Sequence, residues 1–130
     1  MGLNVNINEK EPGVYLITPK GEINTETHNI LEEKVKEVMS KAQALVIEMG
    51  QVSYISSMGL SAIFRIKIAI EERKGTIALV NMQPQVKQVF ETMQILTPQM
   101  FASLQEADEY MDKFLDGVQK GTIKPQKPLE

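Results

Sequence analysis

The sequence of 130 residues contains no cysteine, no tryptophan and a single histidine. The absence of cysteine excludes disulfides, thiolate metal sites and cysteine nucleophiles. Only 5% of the residues are aromatic, so the core must be built from isoleucine, leucine, valine and methionine. The formal net charge is -3 and no long basic block occurs, which argues against nucleic-acid binding. These properties indicate one globular domain held together by aliphatic packing.

Long apolar segments are also missing. The most apolar stretch, residues 58–70, is interrupted by Ser61, Arg65 and Lys67, so it is too short and too charged to span a bilayer. The N-terminus lacks the basic and apolar segments of a signal peptide. We therefore expect a cytoplasmic protein that does not bind membranes. We expect one domain over residues 1–116 and a mobile tail over residues 117–130, which contain few large apolar residues.

The spacing of apolar residues predicts an α/β domain in which helices and strands alternate after an N-terminal β-hairpin. We expect a mixed sheet of four or five strands and about four helices. The predicted strands form the hairpin at residues 3–18, closed by residues 20–24, and cover residues 44–49, 76–81 and 99–102. The first predicted helix runs from Thr25 or Thr27 to Lys41, and the second runs from Ser57 to Lys74 with Gly75 at its C-terminus. The third begins at Pro84, and the fourth begins at a capping box formed by Ser103 and Glu106. The charged residues between Arg65 and Lys74 are expected to form a solvated face.

The stretch from Glu48 to Leu60 is the most informative part of the sequence. An apolar strand runs into a short polar loop that ends at Ser56 and Ser57, and Gly59 and a long apolar helix follow. Backbone N–H groups are free at the start of a helix, and the helix dipole favours negative charge there. A serine at this position suits a reactive hydroxyl, a phosphorylated hydroxyl or an ordinary N-cap.

The surrounding sequence does not favour a catalytic serine. The nucleophile elbow of serine hydrolases needs glycine two residues before the serine, but Ile55 stands two residues before Ser57. The only candidate base, His28, is expected to be solvated, and a lone histidine without a positioned carboxylate makes no triad. The sequence has no glycine-rich phosphate loop and no cluster of metal ligands. We therefore expect no enzymatic activity, no cofactor and no metal site, and a small serine hydrolase is the least favoured alternative.

Three motifs in the same order resemble those of a known family. Residues 46–60, VIEMGQVSYISSMGL, resemble the signature of STAS domains, and more specifically of the bacterial anti-sigma factor antagonists. Residues 21–24, Gly-Glu-Ile-Asn, are similar to the segment before the first helix of this family. Residues 79–86 and 89–93 are similar to its third βα junction and the short helix that follows. The resemblance covers about residues 3–116 and implies a single domain with the STAS fold.

The resemblance implies which hydroxyl is modified and where a partner docks. The phosphorylated serine of the family falls on Ser57, and Ser56, our second choice, stands where the family more often has aspartate. The loop at Asn24 and the loop at Ser57 both follow strands, so we expect them at one sheet edge, where they would form one docking surface. The expected surface comprises Asn24, Thr25, Thr27, Ser56, Ser57, Met58, Gly59 and Leu60. Met58 is expected to be partly exposed and to contact the partner.

The resemblance also implies the partners. The unphosphorylated protein would bind an anti-sigma factor of the histidine-kinase-like ATPase class, and so free a sigma factor for transcription. That partner would phosphorylate Ser57 and end the complex, and a metal-dependent serine phosphatase would restore binding. The protein itself is expected to be a monomer or a weak dimer. The alternative function is a phosphorylation-independent STAS module of a lipid-transport or stressosome-like complex.

Overall fold

The computed structural model describes residues 2–93, 99–101 and 104–120. These residues form an α/β domain, which confirms the predicted fold class. The elements, in chain order, are β1 (Leu3–Glu11), β2 (Val14–Ile23), α1 (His28–Met39), β3 (Ala44–Glu48), β4 (Val52–Ile55), α2 (Ser57–Glu72), β5 (Thr76–Val80), α3 (Pro84–Met93), β6 (Gln99–Phe101) and α4 (Leu104–Lys120). The capping box predicted at Ser103 lies outside the described residues.

The sheet is mixed, as predicted, and its strand order is β1-β2-β3-β5-β6. Strand β1 pairs antiparallel with β2, whereas all other pairs are parallel. The described residues contain one more strand than the expected maximum, because β4 pairs with the carboxyl end of β2. Strand β2 is long enough to change partners, since residues 14–17 pair with β3 and residues 21–23 pair with β4.

Two predicted loops therefore belong to the sheet. Residues 20–23, which were expected to close the hairpin, continue β2, and residues 52–55 form β4 instead of a polar loop. Only the terminal residues of β4, Val52 and Ile55, are buried, so the alternation that indicates a strand is missing. Pairing with β2 provides the stabilisation that local sequence pattern does not reveal.

The two faces of the sheet are covered unequally. Helices α1, α2 and α3 cover one face, and the larger core lies there, with side chains such as Leu31, Ile63 and Phe90 fully buried. Helix α4 covers the other face, where Ala107 and Met111 pack on a smaller cluster. Because each fully buried aliphatic or aromatic side chain contributes about 1.5–3 kcal/mol, the face with three helices supplies most of the packing energy.

Helix α2 ends differently from the prediction. The helix stops at Glu72, and the left-handed residue after it is Lys74, with φ of 66°, instead of Gly75. Gly75 is needed for another reason, because a Cβ atom there would lie 2.6 Å from the carbonyl oxygen of Gln43. The glycine therefore allows the start of β5 to approach the loop before β3.

The charged face predicted on α2 is not uniformly solvated. Lys67 donates to both carboxylate oxygens of Glu71 at 2.8 and 2.9 Å, and the exposed fractions of their side chains are 12% and 3%. The expectation of a solvated face is therefore wrong for this pair. The i,i+4 spacing brings the two groups together, and their mutual neutralisation permits burial.

Helix α4 runs to Lys120, which is four residues beyond the boundary predicted at residue 116. The rest of the predicted tail, residues 121–130, lies outside the described residues. Within the described ranges, no helix is both long and apolar enough to cross a membrane.

Candidate functional site

The two loops of the predicted docking surface lie side by side. Ile23 at the end of β2 pairs with Ile55 at the end of β4, and the Ser56 amide donates to the Ile23 carbonyl at 2.9 Å. Helices α1 and α2 begin just beyond these strand ends. The structure thus brings residues 24–27 and 56–60 to one sheet edge, as expected for loops that follow parallel strands.

The loop between β2 and α1 is held by its own polar side chains. The Asn24 Oδ1 atom accepts hydrogen bonds from the amides of Glu26 and Thr27 at 2.9 and 3.0 Å. The Thr27 hydroxyl donates to the Glu22 carbonyl at 2.6 Å and accepts from the Asn24 amide at 2.9 Å. Thr27 is at the N-cap position, but its side chain is buried in this turn and caps no helical amide. Of the predicted contact residues in this loop, Thr25 is the exposed one, and Asn24 and Thr27 shape the loop.

The loop between β4 and α2 separates the roles of its two serines. The Ser56 Oγ atom accepts a hydrogen bond from the Gly59 amide at 3.1 Å, so Ser56 is the N-cap residue. Ser57 is the first residue of the helix and is exposed. Its hydroxyl has no hydrogen-bond partner among the described residues. One hydroxyl is therefore used by the fold, and the adjacent one is accessible.

Free backbone donors accompany the exposed hydroxyl. The first intrahelical bond of α2 runs from the Leu60 amide to the Ser56 carbonyl at 2.8 Å. No acceptor in the described part of the chain takes the amide hydrogens of Ser57 and Met58. An anion on the Ser57 side chain would meet these donors and the positive end of the helix dipole.

Gly59 and Leu60 contribute no side chain to this surface. Both are buried, and Leu60 is only 1% exposed. A Cβ atom on Gly59 would lie 2.3 Å from the Ile23 carbonyl oxygen, which is far inside contact distance. The prediction that these two residues take part in partner contact is corrected: Gly59 lets α2 begin close to β2, and Leu60 faces the core one turn before Ile63.

Exposed apolar side chains occur in the elements that meet at this edge. Among the described residues, four large hydrophobic side chains are exposed, and three of them are Ile30, Tyr54 and Met58 at 41%, 49% and 41%. Ile30 lies in the first turn of α1, Tyr54 precedes the end of β4, and Met58 lies in the first turn of α2. The exposure of Met58 is confirmed. Exposed aromatic and aliphatic side chains near a polar group are typical of protein interaction surfaces.

Sequence reasoning missed the other two apolar residues. Ile30 lies beside the buried stripe of its helix, which Leu31 and Val35 form at i,i+4 spacing. Tyr54 was placed in a loop, where its direction could not be predicted. The position of Ile30 next to the buried stripe of Leu31 and Val35 is the sequence signal from which its exposure could have been predicted.

A third junction supports β4 from the neighbouring strands. The Glu48 carboxylate accepts hydrogen bonds from the Gly50 amide and from the Asn81 side-chain amide, both at 2.5 Å. The Gln83 side chain donates to the Gly50 carbonyl, and the Gln85 side chain donates to the Ser53 carbonyl, each at 3.0 Å. The loop between β5 and α3 and the first turn of α3 therefore fix the turn before β4 and the strand that carries Tyr54.

His28 is less exposed than predicted and is paired with a carboxylate. Its Nδ1 atom lies 2.7 Å from Glu32 Oε2, and the imidazole side chain is 15% exposed. Arg65 of α2 donates two hydrogen bonds to Glu32 at 2.8 and 2.9 Å, and this interaction lowers the pKa of the Glu32 carboxyl to about 2. The cluster links α1 to α2. No serine hydroxyl hydrogen-bonds to His28 within the described residues, and no group of three potential metal ligands occurs among them.

The fold and the site together define a small α/β domain with an accessible serine at a helix N-terminus. The sequence profile of the STAS domain family matches residues 7–107. The chain therefore belongs to the STAS domain family, as its motifs indicated. The matched segment includes both loops of the sheet edge and the Glu48 junction.

The chain also resembles individual members of this family. It is 26% identical over 100 residues to BtrV of Bordetella bronchiseptica, which is named as a candidate anti-sigma factor antagonist, and the match covers 76% of this chain and 86% of BtrV. Its fold is similar to an anti-sigma factor antagonist from Mycobacterium paratuberculosis, with a TM-score of 0.74, 21% identity and coverage of 85% and 94% of the two chains. Phosphorylated SpoIIAA of Bacillus matches with a TM-score of 0.67, 16% identity and coverage of 83% and 99%.

Proposed function

We propose that this protein is an anti-sigma factor antagonist that is switched by phosphorylation of Ser57. The unphosphorylated chain binds an anti-sigma factor that is also a serine kinase, and the phosphorylated chain releases it. The observation that carries this proposal is the exposed, unpartnered Ser57 hydroxyl at the start of α2, beside exposed Tyr54 and Met58. The names of BtrV and of the mycobacterial protein support the same function.

The fold can accept the phosphate. Phosphorylation adds about −1.5 to −2 charges at neutral pH. The amides of Ser57 and Met58 can donate to the new oxygens, and the helix dipole favours the charge. The Ser56 hydroxyl keeps its bond to the Gly59 amide, so the cap remains intact. We therefore expect a phosphorylated domain that stays folded.

Binding, in contrast, cannot tolerate the charge. A partner that covers Tyr54, Met58 and a neutral Ser57 would have to desolvate the phosphate without a matching cation. Leaving a charge unpaired in an interface costs about 2–5 kcal/mol, which corresponds to a roughly 30- to 3000-fold loss of affinity. The switch thus acts on the interface and leaves the fold in place.

In this mechanism the chain is a substrate and supplies no catalytic group. The partner, of the histidine-kinase-like ATPase class, provides ATP and Mg²⁺. The γ-phosphoryl group passes to the Ser57 oxygen as its bond to the β-phosphate oxygen breaks, ADP leaves, and the serine proton passes to a base of the kinase. A metal-dependent serine phosphatase hydrolyses the phosphoserine and restores binding. Sequestering the anti-sigma factor frees its sigma factor, so the cytoplasm is the compartment in which this function operates.

The decisive experiment incubates the purified chain with candidate anti-sigma kinases of the same organism and ATP, and maps the phosphate by mass spectrometry. We expect phosphate on Ser57 in the wild type and in Ser56→Ala, and none in Ser57→Ala. Ser56→Ala is the matched control, because it removes the adjacent hydroxyl and lowers stability by about 1 kcal/mol through loss of the cap. Phosphate on Ser56 would refute the residue assignment, and its absence from both serines with every kinase would refute the switch.

A further inference from the structure

The two edges of the sheet differ in how they are protected. Strand β6 forms one edge and is only three residues long, which is a common way to limit unwanted strand pairing. Strand β1 forms the other edge and is nine residues long. Residues 3–8 of β1 contain no charge and no proline, and the register with β2 is regular from Leu3 to Glu9. The usual protective features are confined to the far end of this strand, where the register is irregular between Glu9 and Glu11 and residues 9–11 are charged, so residues 3–8 are left unprotected.

The hydrogen-bonding direction of β1 follows from the contacts of β2. The Gly21 amide donates to the Gln51 carbonyl, so the backbone of Gly21 is directed toward β4. Alternate residues of a strand bond to opposite neighbours, so Thr18 and Lys20 are directed toward β1. Pro19, which has no amide hydrogen, falls in the set that is directed away from β1, in agreement with this assignment.

The register then identifies the groups at the outer edge. Thr18 pairs with Asn6, so Asn6 bonds to β2 together with its even-numbered neighbours. The backbone N–H and C=O groups of Leu3, Val5 and Ile7 consequently face outward. No described residue pairs with this side of β1, because β1 ends the strand order.

The side chains of β1 are arranged for pairing with an identical strand. Leu3 and Val5 are buried on the helical face, whereas Asn4, Asn6 and Asn8 are exposed on the other face. An antiparallel pair of two such strands centred on Asn6 would place Val5 opposite Ile7 of the second copy. It would also place Asn6 opposite Asn6 and Asn4 opposite Asn8, so that uncharged amides face each other and apolar side chains extend the core. No like charges meet along residues 4–8.

We propose that the outer edge of β1 is a dimerisation surface that pairs antiparallel, around a two-fold axis at Asn6, with β1 of a second copy. The pairing would join two sheets into one continuous sheet and satisfy the outward amides of Val5 and Ile7. The surface involves neither Ser57 nor the loops at the carboxyl edge of the sheet, so this proposal is independent of the proposed function.

The test introduces a charge at residue 6, which lies opposite residue 6 of the second copy across the two-fold axis. Asn6→Lys places two lysines opposite each other and should weaken self-association about fivefold, measured by sedimentation equilibrium of the full chain. Asn6→Asp should do the same. A mixture of the two variants should associate at least about fivefold more tightly than either alone, because opposite charges then meet. Gln105→Lys, an exposed substitution on α4, is the matched control and should associate like the wild type.

Amide hydrogen exchange provides a second readout. The Val5 and Ile7 amides should gain protection as protein concentration rises, while the Asn6 amide should stay protected throughout. A wild type that is monomeric at every concentration would overturn the proposal. So would concentration-independent protection of Val5 and Ile7, which would mean that the same chain covers the edge. Unchanged association of Asn6→Lys would exclude this two-fold register and overturn the proposal in the form given.

Discussion

The junctions before α1 and α2 occupy neighbouring positions at one sheet edge, yet they use their hydroxyl groups differently. In the first junction, the Thr27 hydroxyl is buried and joins Glu22 to Asn24. In the second junction, Ser56 caps the helix and Ser57 is left exposed. The first loop is therefore closed on itself, and the second offers a group for modification. A helix start becomes a candidate switch only when the capping function is carried by another residue.

The largest expected effect concerns the exposed hydroxyl. Ser57→Asp should lower the affinity for the anti-sigma partner by roughly 30-fold or more, because a carboxylate enters the interface. Its melting temperature should match the wild type, since the helix N-terminus tolerates negative charge. Ser57→Ala is the matched control and should bind normally. Titration calorimetry and thermal unfolding measure the two properties, and an unfolded Ser57→Asp protein would contradict a switch confined to the surface.

The contact that holds the second junction against β2 can be broken at Gly59. Gly59→Ala places a methyl group 2.3 Å from the Ile23 carbonyl oxygen, so α2 must move away from the strand. We expect a loss of about 3 kcal/mol in the free energy of unfolding, measured with urea. Gly2→Ala is the control, because nothing lies within 4 Å of a Cβ atom there. Wild-type stability of Gly59→Ala would mean that the close approach of α2 and β2 is wrong.

The stability of the junction before α1 should depend more on the buried hydroxyl of Thr27 than on the exposed hydroxyl of Thr25. Thr27→Val keeps the branched shape but removes the partner of the Glu22 carbonyl and the Asn24 amide. The expected cost is about 2 kcal/mol, because buried polar groups lose a hydrogen bond. Thr25→Val, at an exposed position, should change stability by no more than about 0.5 kcal/mol. Equal effects of the two substitutions would remove the distinction between a closed and an open junction.

The smallest expected effect is a pH dependence that arises where the two helices are linked. The pKa of Glu32 is about 2 in the folded protein, against an ordinary value of 4.5. Between these values the unfolded chain binds more protons, so the contribution of Glu32 to stability is present above pH 4.5 and is lost as the pH falls toward 2. Glu32→Gln should flatten this part of the stability profile by about 1 kcal/mol or less, because Arg65 is half exposed.

The control for this measurement is Glu33→Gln, which removes an exposed carboxylate from the same helix. Urea unfolding at several pH values between 2.5 and 6 gives the profiles. If Glu32→Gln and Glu33→Gln gave the same profile as the wild type, the ion pair between α1 and α2 would contribute nothing to stability.

The sequence was sufficient to predict structure in segments where nearly every residue is buried or where the contacts are local. Strands β3 and β5 were predicted because nearly every residue in them is apolar. The Ser56 cap could be anticipated, since serine before a helix usually accepts from a first-turn amide. The edge that joins the two loops was also predictable, because parallel strands place their carboxyl ends together.

Long-range pairing explains what could not be predicted. Strand β4 exists because residues 21–23, about thirty positions earlier, provide its partner. The bonds of Glu48 to Asn81 and of Glu32 to Arg65 each join residues 33 positions apart. Sequence periodicity carries no information about such contacts, so the environment of His28 and the support of Tyr54 emerged only from the fold.

The shortness of β4 has a consequence for the dynamics of the site. This strand has four residues, and its register with β2 contains three pairs and one irregularity. The turn before it is held by a side-chain bond from Gln83, and the strand itself by one from Gln85 of α3. Local opening of so short a segment requires far less free energy than unfolding of the central strands. The serine and its apolar neighbours would then open as one cooperative unit while the rest of the sheet stays intact. Drawing the already exposed Ser57 into the cleft of a kinase or phosphatase would therefore require the opening of β4 alone.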